Sequence, residues 1–185
     1  MLTFDPIKHE YFVNGIRYPG VTDILTELGL IDKRFFDERS RNRGSIVHRC
    51  LALLLENSLD WSTVDPRLLG YVQAGERFLQ ELKIVPKIIE RPFYNKQLLY
   101  AGTPDIFCQD GTLIDFKTGV FLKAYELQSG AYKLLLESNG YPVKKMMIVQ
   151  LSEDGNYKLH PVDLGAGRDW LVAFSYYNLR LNYGG

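Results

Sequence analysis

The amino-acid sequence predicts an α/β fold in which a central mixed β-sheet is flanked by helices. Helix-like segments precede, interrupt and follow the strand-like segments, which is the order expected when helices cover both faces of a sheet. One strand–helix–strand passage predicts a parallel pair of strands beside antiparallel ones, so the sheet should be mixed. With 185 residues, of which 46% are hydrophobic and 24% charged, the chain is long enough for one domain with a sizeable core.

The N-terminal elements are predicted to be a β-hairpin followed by three helices. Asn14-Gly15, between HEYFV and IRYPG, is the strongest short signal for a hairpin turn. Thr22 is expected to cap a short helix, DILTELG, which ends at Gly29. The segment RGSIVHRCLALLLEN predicts a second, buried helix, and a third should run from near Pro66 through RLLGYVQAGERFLQELK.

The C-terminal elements are predicted to be five strands and two helices. KIIERPFY, LLYAGTPDIFCQ and TLIDFKTG predict three strands, and LKAYELQSGAYKLLLESNG predicts a helix that ends at Gly140. VKKMMIVQLS and YKLHPVDL predict two strands joined across Asp154-Gly155, and GRDWLVAFSYYNLRLN predicts a final helix. No repeat or linker is evident, so one domain over residues 1–185 is expected. Its parts are an N-terminal hairpin (1–20), a helical part (21–84), the sheet with its helix (85–165) and a C-terminal helix (166–185).

The charge is balanced overall but uneven along the chain. The net charge is zero, whereas a protein that coats nucleic acid is usually basic. The segment at residues 32–49, DKRFFDERSRNRGSIVHR, is locally basic and could still hold phosphate groups. Cys50 and Cys108 lie in apolar surroundings and predict buried thiols in a reduced, cytoplasmic protein. Neither a signal peptide nor an apolar segment of about 20 residues is evident, so no membrane association is expected.

Three charged residues occupy the stretch YAGTPDIFCQDGTLIDFKTG, where a hairpin would bury apolar side chains. They are Asp105, Asp115 and Lys117. If residues 109–111 form a three-residue loop whose glycine is left-handed, Asp105 lies opposite Asp115, and Lys117 shares the face of Asp115. A two-residue Asp-Gly turn would shift the pairing by one residue and put the two carboxylates on opposite faces.

Opposed carboxylates beside a lysine indicate phosphodiester chemistry. Two carboxylates repel each other in a half-buried site, and a hard divalent cation such as Mg²⁺ between them removes the conflict. A metal ion lowers the pKa of its bound water and neutralises phosphate oxygens, while a lysine can orient water or stabilise developing negative charge. The alternative is a surface salt bridge that joins Asp105 or Asp115 to Lys117.

The residues Pro104-Asp105 and the run IDFK, which contains Asp115, Phe116 and Lys117, resemble the motif of the PD-(D/E)XK nuclease superfamily. The resemblance covers about residues 40–135. It implies a restriction-endonuclease-like three-layer fold, in which the sheet carries the catalytic residues.

Three further features resemble the RecB-like exonuclease branch of that superfamily. Gln128 and Tyr132 share a helical face and match its Q-x-x-x-Y motif, although Tyr132 could be a core residue. His48, in RGSIVH, matches a helix histidine that is a metal ligand there, although a lone helix histidine is more often structural. Glu90 matches a supporting or second-metal glutamate, and could equally be a solvent-facing strand residue. The opening hairpin and YPGVTDIL resemble phage-encoded members and the mitochondrial genome maintenance exonuclease.

The resemblance implies a metal-dependent DNA exonuclease of recombination, repair or phage DNA metabolism. Lys117 would position the attacking water or stabilise the transition state, and Gln128 and Tyr132 would support the site. The cofactor would be Mg²⁺ or Mn²⁺, since an imidazole among oxygen ligands makes Mn²⁺ at least as plausible. The implied metal ligands are Asp105, Asp115, the backbone carbonyl of Phe116 and His48.

Three residues are candidates for contacts with DNA phosphates. Arg41 and Arg43 are expected to precede the histidine helix, where a helix N-terminus and a guanidinium both suit a phosphate. They could equally be solvated surface arginines. Thr118, directly after the lysine, could contact a phosphate, although a hydroxyl at a strand end more often bonds within a turn.

Other motifs limit the cofactors and partners. Two distant cysteines cannot hold a four-cysteine iron–sulfur cluster. The sequence contains no G-x-x-x-x-G-K-[ST] motif, so no ATP-binding loop is expected. Any unwinding would therefore come from a helicase or recombination partner, unless the DNA offers ends or single strands. The alternatives are an endonuclease of the restriction or junction-resolving type, a non-catalytic nucleic-acid-binding subunit, or a structural interaction protein. The oligomeric state is left open, and the aromatic-rich end WLVAFSYYNLRLNY is expected to pack on the sheet, with an interface or base-stacking surface as the alternative.

Overall fold

The structure, a computed structural model, describes residues 1–6, 8–32 and 38–184. The described helices are α1 (Val21–Glu27), α2 (Glu38–Leu55), α3 (Leu69–Glu81), α4 (Ala124–Ser138) and α5 (Ala166–Tyr183), with a 3-10 turn at Trp61–Thr63. The described strands are β1 (Leu2–Asp5), β2 (Glu10–Val13), β3 (Ile16–Tyr18), β4 (Pro86–Ile89), β5 (Phe93–Asn95), β6 (Tyr100–Gly102), β7 (Ile106–Cys108), β8 (Thr112–Lys117), β9 (Lys145–Leu151) and β10 (Tyr157–Val162).

The central sheet has five strands in the order β10-β9-β8-β7-β4. β8 and β9 are parallel and are connected through α4, while the other neighbouring strands of this sheet are antiparallel. A parallel pair needs a crossover connection, and the helix between the two strands supplies it. The predicted mixed sheet is confirmed.

Helices cover both faces of this sheet. Leu113 of β8 packs in a core cluster with Leu135 of α4, and this cluster also contains α1 and α5 residues. Phe116 of the same strand packs in the opposite cluster with Phe78 of α3 and with α2 residues. Because side chains alternate along a strand, Asp115 lies on the same face as Leu113, toward α4. The predicted three-layer α/β fold is confirmed.

The N-terminal hairpin is present and carries an additional strand. β2 and β3 pair across Asn14-Gly15, whose φ values of +52° and +82° are those that a tight hairpin turn requires. β1 pairs with β2 and completes a three-stranded sheet. The predicted cap at Thr22 is wrong, because α1 begins at Val21 and Gly20 is its cap. The helix starts early because Gly20 is held by a bridge to Ala101 of β6.

Two of the predicted strands are each divided between two sheets. KIIERPFY forms β4 and β5, and LLYAGTPDIFCQ forms β6 and β7. β4 and β7 join the central sheet, whereas β5 and β6 pair with each other. The divisions occur at Pro92 and Pro104, which lack the N–H that a β-ladder needs.

Several smaller predictions can be compared with the structure directly. Cys50 and Cys108 are free and buried, as predicted. Trp170, Phe174 and Tyr177 of α5 are buried, so the predicted packing of the C-terminal helix is confirmed for these rings. Within the described part of the chain, no helix combines the length and the apolar character needed to cross a membrane. Residues 33–37 of the predicted basic segment lie outside the described residues.

Candidate active site

The hairpin of β7 and β8 has the predicted register. Ile106 pairs with Ile114, and continuing this pairing by one residue puts Asp105 opposite Asp115. The connecting loop is residues 109–111, and its glycine is left-handed, with φ +90°. The three-residue loop is therefore confirmed, and the two-residue turn is excluded.

The Asp105 carboxylate replaces a ladder partner of β8. Pro104 cannot donate to a neighbouring strand, and β7 begins only at Ile106, so β8 extends beyond its pairing with β7. There the N–H of Phe116 donates to Oδ2 of Asp105 at 2.7 Å. The Pro-Asp dipeptide thus ends the ladder and places a buried carboxylate against the backbone of the central strand.

Asp115 and Lys117 form a buried ion pair. Nζ of Lys117 lies 2.5 Å from Oδ2 of Asp115, and the two side chains are 15% and 2% exposed. The ammonium also lies 4.8 Å from the ring centroid of Tyr125 on α4, a cation–π contact. The pair is therefore part of the interior of the site and is not a surface salt bridge.

His48 reaches this site from α2. Its Nδ1 lies 3.2 Å from Oδ1 of Asp105 and 3.6 Å from Oε1 of Glu90. Its Nε2 lies 3.1 Å from the carbonyl oxygen of Phe116. Both ring nitrogens face oxygen acceptors, an arrangement that favours the doubly protonated ring.

Glu90 follows β4 and does not lie on the strand, which corrects the sequence-based expectation. It is left-handed, with φ +46°, and its N–H donates to the carbonyl of Asp105 at 2.9 Å. This bond continues the pairing of β4 with β7, so Glu90, Asp105 and Asp115 lie side by side at one end of three neighbouring strands. The Glu90 side chain is 37% exposed, but its carboxylate faces His48.

The charged groups shift one another's pKa values. Burial lowers the pKa of His48, but the Asp105 and Glu90 carboxylates outweigh burial and raise this pKa to about 10. Burial raises the pKa of Asp105, yet the His48 and Lys117 cations and the Phe116 N–H hold it below its usual range. Burial raises the pKa of Asp115 to about 6, with Lys117 opposing this rise and Asp105 adding to it. The two opposed carboxylates therefore differ, and Asp105 is the more readily ionised.

The donor set suits a divalent cation. His48, Glu90 and Asp105 each offer one ligand atom, and these atoms lie within 4.8 Å of one another. Carboxylate oxygens suit both Mg²⁺ and Mn²⁺, and an imidazole ligand is more typical of Mn²⁺ sites than of Mg²⁺ sites. Asp115 is not part of this group of atoms and is paired with Lys117, so its predicted role as a metal ligand stays a prediction.

Gln128 and Tyr132 lie on the face of α4 that covers the site. Nε2 of Gln128 donates to Oη of Tyr132 at 3.0 Å, and both side chains are buried. Burial raises the pKa of Tyr132 well above its usual value, so its hydroxyl is neutral. Tyr132 belongs to the apolar core and also lines the cleft described below, so the two interpretations of this residue are compatible.

Arg41 and Arg43 lie within α2, and the expectation that they precede the helix is wrong. Within the described residues the helix starts at Glu38, and its first turns hold three arginines, which are good helix formers. Nε of Arg43 donates to Oγ1 of Thr118 at 3.3 Å, and its guanidinium lies 5.5 Å from the ring centroid of Tyr71. Arg43 and Thr118, both predicted to contact phosphate, are therefore hydrogen-bonded to each other.

These residues line a cleft of about 910 Å³. The predicted site residues on its surface are His48, Glu90, Asp105, Asp115, Phe116, Lys117, Gln128, Tyr132, Arg41, Arg43 and Thr118. Phe4, His9, Thr103 and Tyr125 also line it and are not among the residues predicted from the sequence. Tyr125 stands three residues before Gln128, so helical periodicity is a signal that could have found it, whereas nothing local marks Phe4 or His9.

The fold and the cleft define a three-layer α/β protein with a buried charged site at one end of its sheet. No family model matches the chain, and no curated protein matches it. Three solved structures that match the chain are exonucleases by name. A crystal structure from Eubacterium rectale, provisionally named an exonuclease, has a TM-score of 0.53 at 12% identity and covers 88% of this chain and 74% of that chain.

An alkaline exonuclease from Laribacter hongkongensis, LHK-Exo, has TM-scores of 0.43 by itself and 0.44 in complex with dAMP. Both structures are 10% identical to this chain and cover 89% of it and 88% of their own length. At these identities the likeness to solved structures is a likeness of fold.

Proposed function

We propose that the protein is a metal-dependent DNA exonuclease of the PD-(D/E)XK superfamily, RecB-like branch. The observation that carries the proposal is the convergence of Asp105, Asp115 and Lys117 with His48 and Glu90 at one end of the central sheet. Burying so many charges costs stability, and ionisable groups with strongly shifted pKa values in a cleft are typical of functional sites. The name of the Eubacterium rectale neighbour supports the exonuclease form.

The metal would be held by His48, Glu90 and Asp105, with the carbonyl of Phe116 and the Asp115 carboxylate as further candidates. When bound, Mg²⁺ or Mn²⁺ supplies an acidified water molecule and neutralises phosphate oxygens. Nδ1 of His48 already lies beside the Asp105 and Glu90 carboxylates, and this nitrogen must lose its proton before it can bind a metal.

Lys117 would stabilise the transition state. Asp115 and the Tyr125 ring hold its ammonium in the lining of the cleft, where it would face the negative charge that develops on a phosphoryl group. We expect Lys117→Met to lower the cleavage rate by roughly 10²–10³-fold.

Oε1 of Gln128 is buried and accepts no hydrogen bond from the described residues, so it can orient a water molecule at the site.

The DNA would enter between α2 and the loop after β8. Arg41, Arg43 and Arg49 of α2 line this side of the cleft and supply positive charge for phosphates. An ATP-binding loop is not expected from the sequence, so the substrate would offer free ends or single strands, or a helicase or recombination partner would supply them. Recombination, repair and phage DNA metabolism are the processes in which such an activity acts.

The test is cleavage of end-labelled linear and closed circular DNA, single- and double-stranded, with Mg²⁺, Mn²⁺ or chelator. Asp115→Asn removes the buried charge, and Asp154→Asn is the matched control because Asp154 is exposed in the β9–β10 turn. We expect metal-dependent loss of linear DNA alone, abolished by Asp115→Asn and kept by Asp154→Asn.

Cut circles would make the protein an endonuclease that uses the same site. If neither substrate is cut with either metal, or if Asp115→Asn cuts as well as the wild type, the site is not a nuclease centre. A non-catalytic nucleic-acid-binding protein would then be the better interpretation.

A further inference from the structure

One wall of the cleft has no part in the proposed chemistry. Phe4 of β1 and His9 of the β1–β2 turn line the same cleft as Asp105 and Lys117. Their ring centroids lie 5.1 Å apart with planes at 84°, and Phe4 stacks on Tyr11 at 4.8 Å. We call Phe4 and His9 the aromatic wall. Phe4 is partly exposed and His9 is exposed, so ring surface is accessible from the cleft.

The aromatic wall is attached to the strand segment that carries the site. Tyr11 stacks behind Phe4, is only 2% exposed, and lies with its hydroxyl 3.0 Å from that of Thr103. Thr103 is followed directly by Pro104-Asp105. The position of Phe4 relative to the Asp105 carboxylate is therefore set by its stacking on the buried Tyr11 ring and by the contact of Tyr11 with Thr103.

Another part of the cleft lining is cationic. Arg41, Arg43 and Arg49 of α2 line it, and the described residues provide neither Arg41 nor Arg49 with an acidic partner. A groove that combines cations with accessible aromatic rings is of the kind that binds single-stranded nucleic acid. The cations bind the phosphates, and the rings stack on bases. A paired base inside a duplex has both faces covered by its neighbours and cannot use such a ring.

We propose that the aromatic wall is a stacking subsite for an unpaired base of a DNA single strand whose phosphates lie along α2. This assignment rests on the proposed function, because it requires that a DNA strand enters the cleft. The subsite gives a physical reason for a preference for single strands or frayed ends over a fully paired duplex.

The test compares a fluorescent thymidine oligonucleotide with an abasic strand of the same length and the same phosphates. Binding to the Asp115→Asn protein is measured by fluorescence anisotropy with Mg²⁺, so that cleavage does not interfere. Phe4→Leu keeps an apolar side chain, and His9→Asn removes the ring while tolerating the left-handed backbone at φ +56°. Trp61→Leu is the control, because Trp61 is an exposed aromatic residue outside the cleft.

We expect each wall variant to weaken binding of the thymidine strand by roughly 5- to 150-fold and to leave binding of the abasic strand unchanged. Phe4→Tyr, which keeps a ring, should bind like the parent, and so should Trp61→Leu. Equal weakening for both strands, or no weakening for either, would overturn the subsite. If the parent protein binds neither strand, the proposed function itself fails, a result distinct from failure of the subsite alone.

Discussion

Breaking the buried ion pair of Lys117 and Asp115 should cost far more stability than breaking a surface pair of the same length. Lys117→Met removes the ammonium and leaves an apolar side chain of similar length. Lys123→Met is the matched control, because Nζ of Lys123 lies 2.6 Å from Oε1 of Glu126, close to the 2.5 Å of the buried pair. The lysine side chains differ in exposure, 15% for Lys117 and 83% for Lys123.

Burial sets the expected magnitude. An exposed ion pair contributes about 0–1 kcal/mol to the free energy of unfolding. Removing one partner of a buried pair costs about 3–5 kcal/mol, because the remaining charge is left in the interior. Here the remaining charge is Asp115, whose side chain is 2% exposed and lies opposite the Asp105 carboxylate.

The loss of stability should depend on pH. Without Lys117, the pKa of Asp115 in the folded protein should rise above the present value of about 6. A carboxyl whose folded pKa exceeds its unfolded pKa, about 4, stabilises the folded state below pH about 4 and loses this contribution as the pH rises through the folded pKa. The difference between Lys117→Met and wild type should therefore be smaller at about pH 5.5 than at about pH 8.

Urea unfolding followed by circular dichroism measures both quantities, and an unchanged m-value would show that the transitions can be compared. Chelator is present throughout, so that no divalent cation compensates for the lost charge. The reasoning is refuted if Lys117→Met costs no more than Lys123→Met, or if its cost is the same at both pH values.

Two further predictions concern helix packing and metal binding. Gly130→Ala should cost about 1–3 kcal/mol of unfolding free energy, because a Cβ there would lie 2.2 Å from the carbonyl oxygen of Ala166. Gly167→Ala is its control in thermal melts. A Cβ there would lie 3.6 Å from the nearest side-chain atom, so this change should be neutral or slightly stabilising. Equal losses of melting temperature in the two variants would contradict the packing. Binding of Mn²⁺ should tighten as pH rises and should release a proton, because the neighbouring carboxylates hold the pKa of His48 at about 10 despite its burial. Titration calorimetry in buffers of different ionisation enthalpy measures that proton, and its persistence in His48→Asn would exclude His48 as its source.

The sequence by itself determined the features whose conformation depends on only a few neighbouring residues. The hairpin at Asn14-Gly15 and the loop at residues 109–111 follow from glycine at positions that need a left-handed backbone. The loop at residues 109–111 also fixes the pairing register of the two strands that it joins. Because side chains alternate along a strand, this register places Asp105 opposite Asp115. The charged hairpin could be predicted for this reason.

The tertiary structure decided the features that depend on distant partners. Pro92 marks where KIIERPFY is interrupted, but no local pattern shows that its two halves join different sheets, because each half pairs with a different partner strand. Likewise, only folding brings His9 to the cleft of Lys117 and sets His48 between Glu90 and Asp105. Turn chemistry depends on the φ preferences of neighbouring residues, whereas these contacts depend on which long-range pairings bury the most apolar surface and satisfy the most backbone groups.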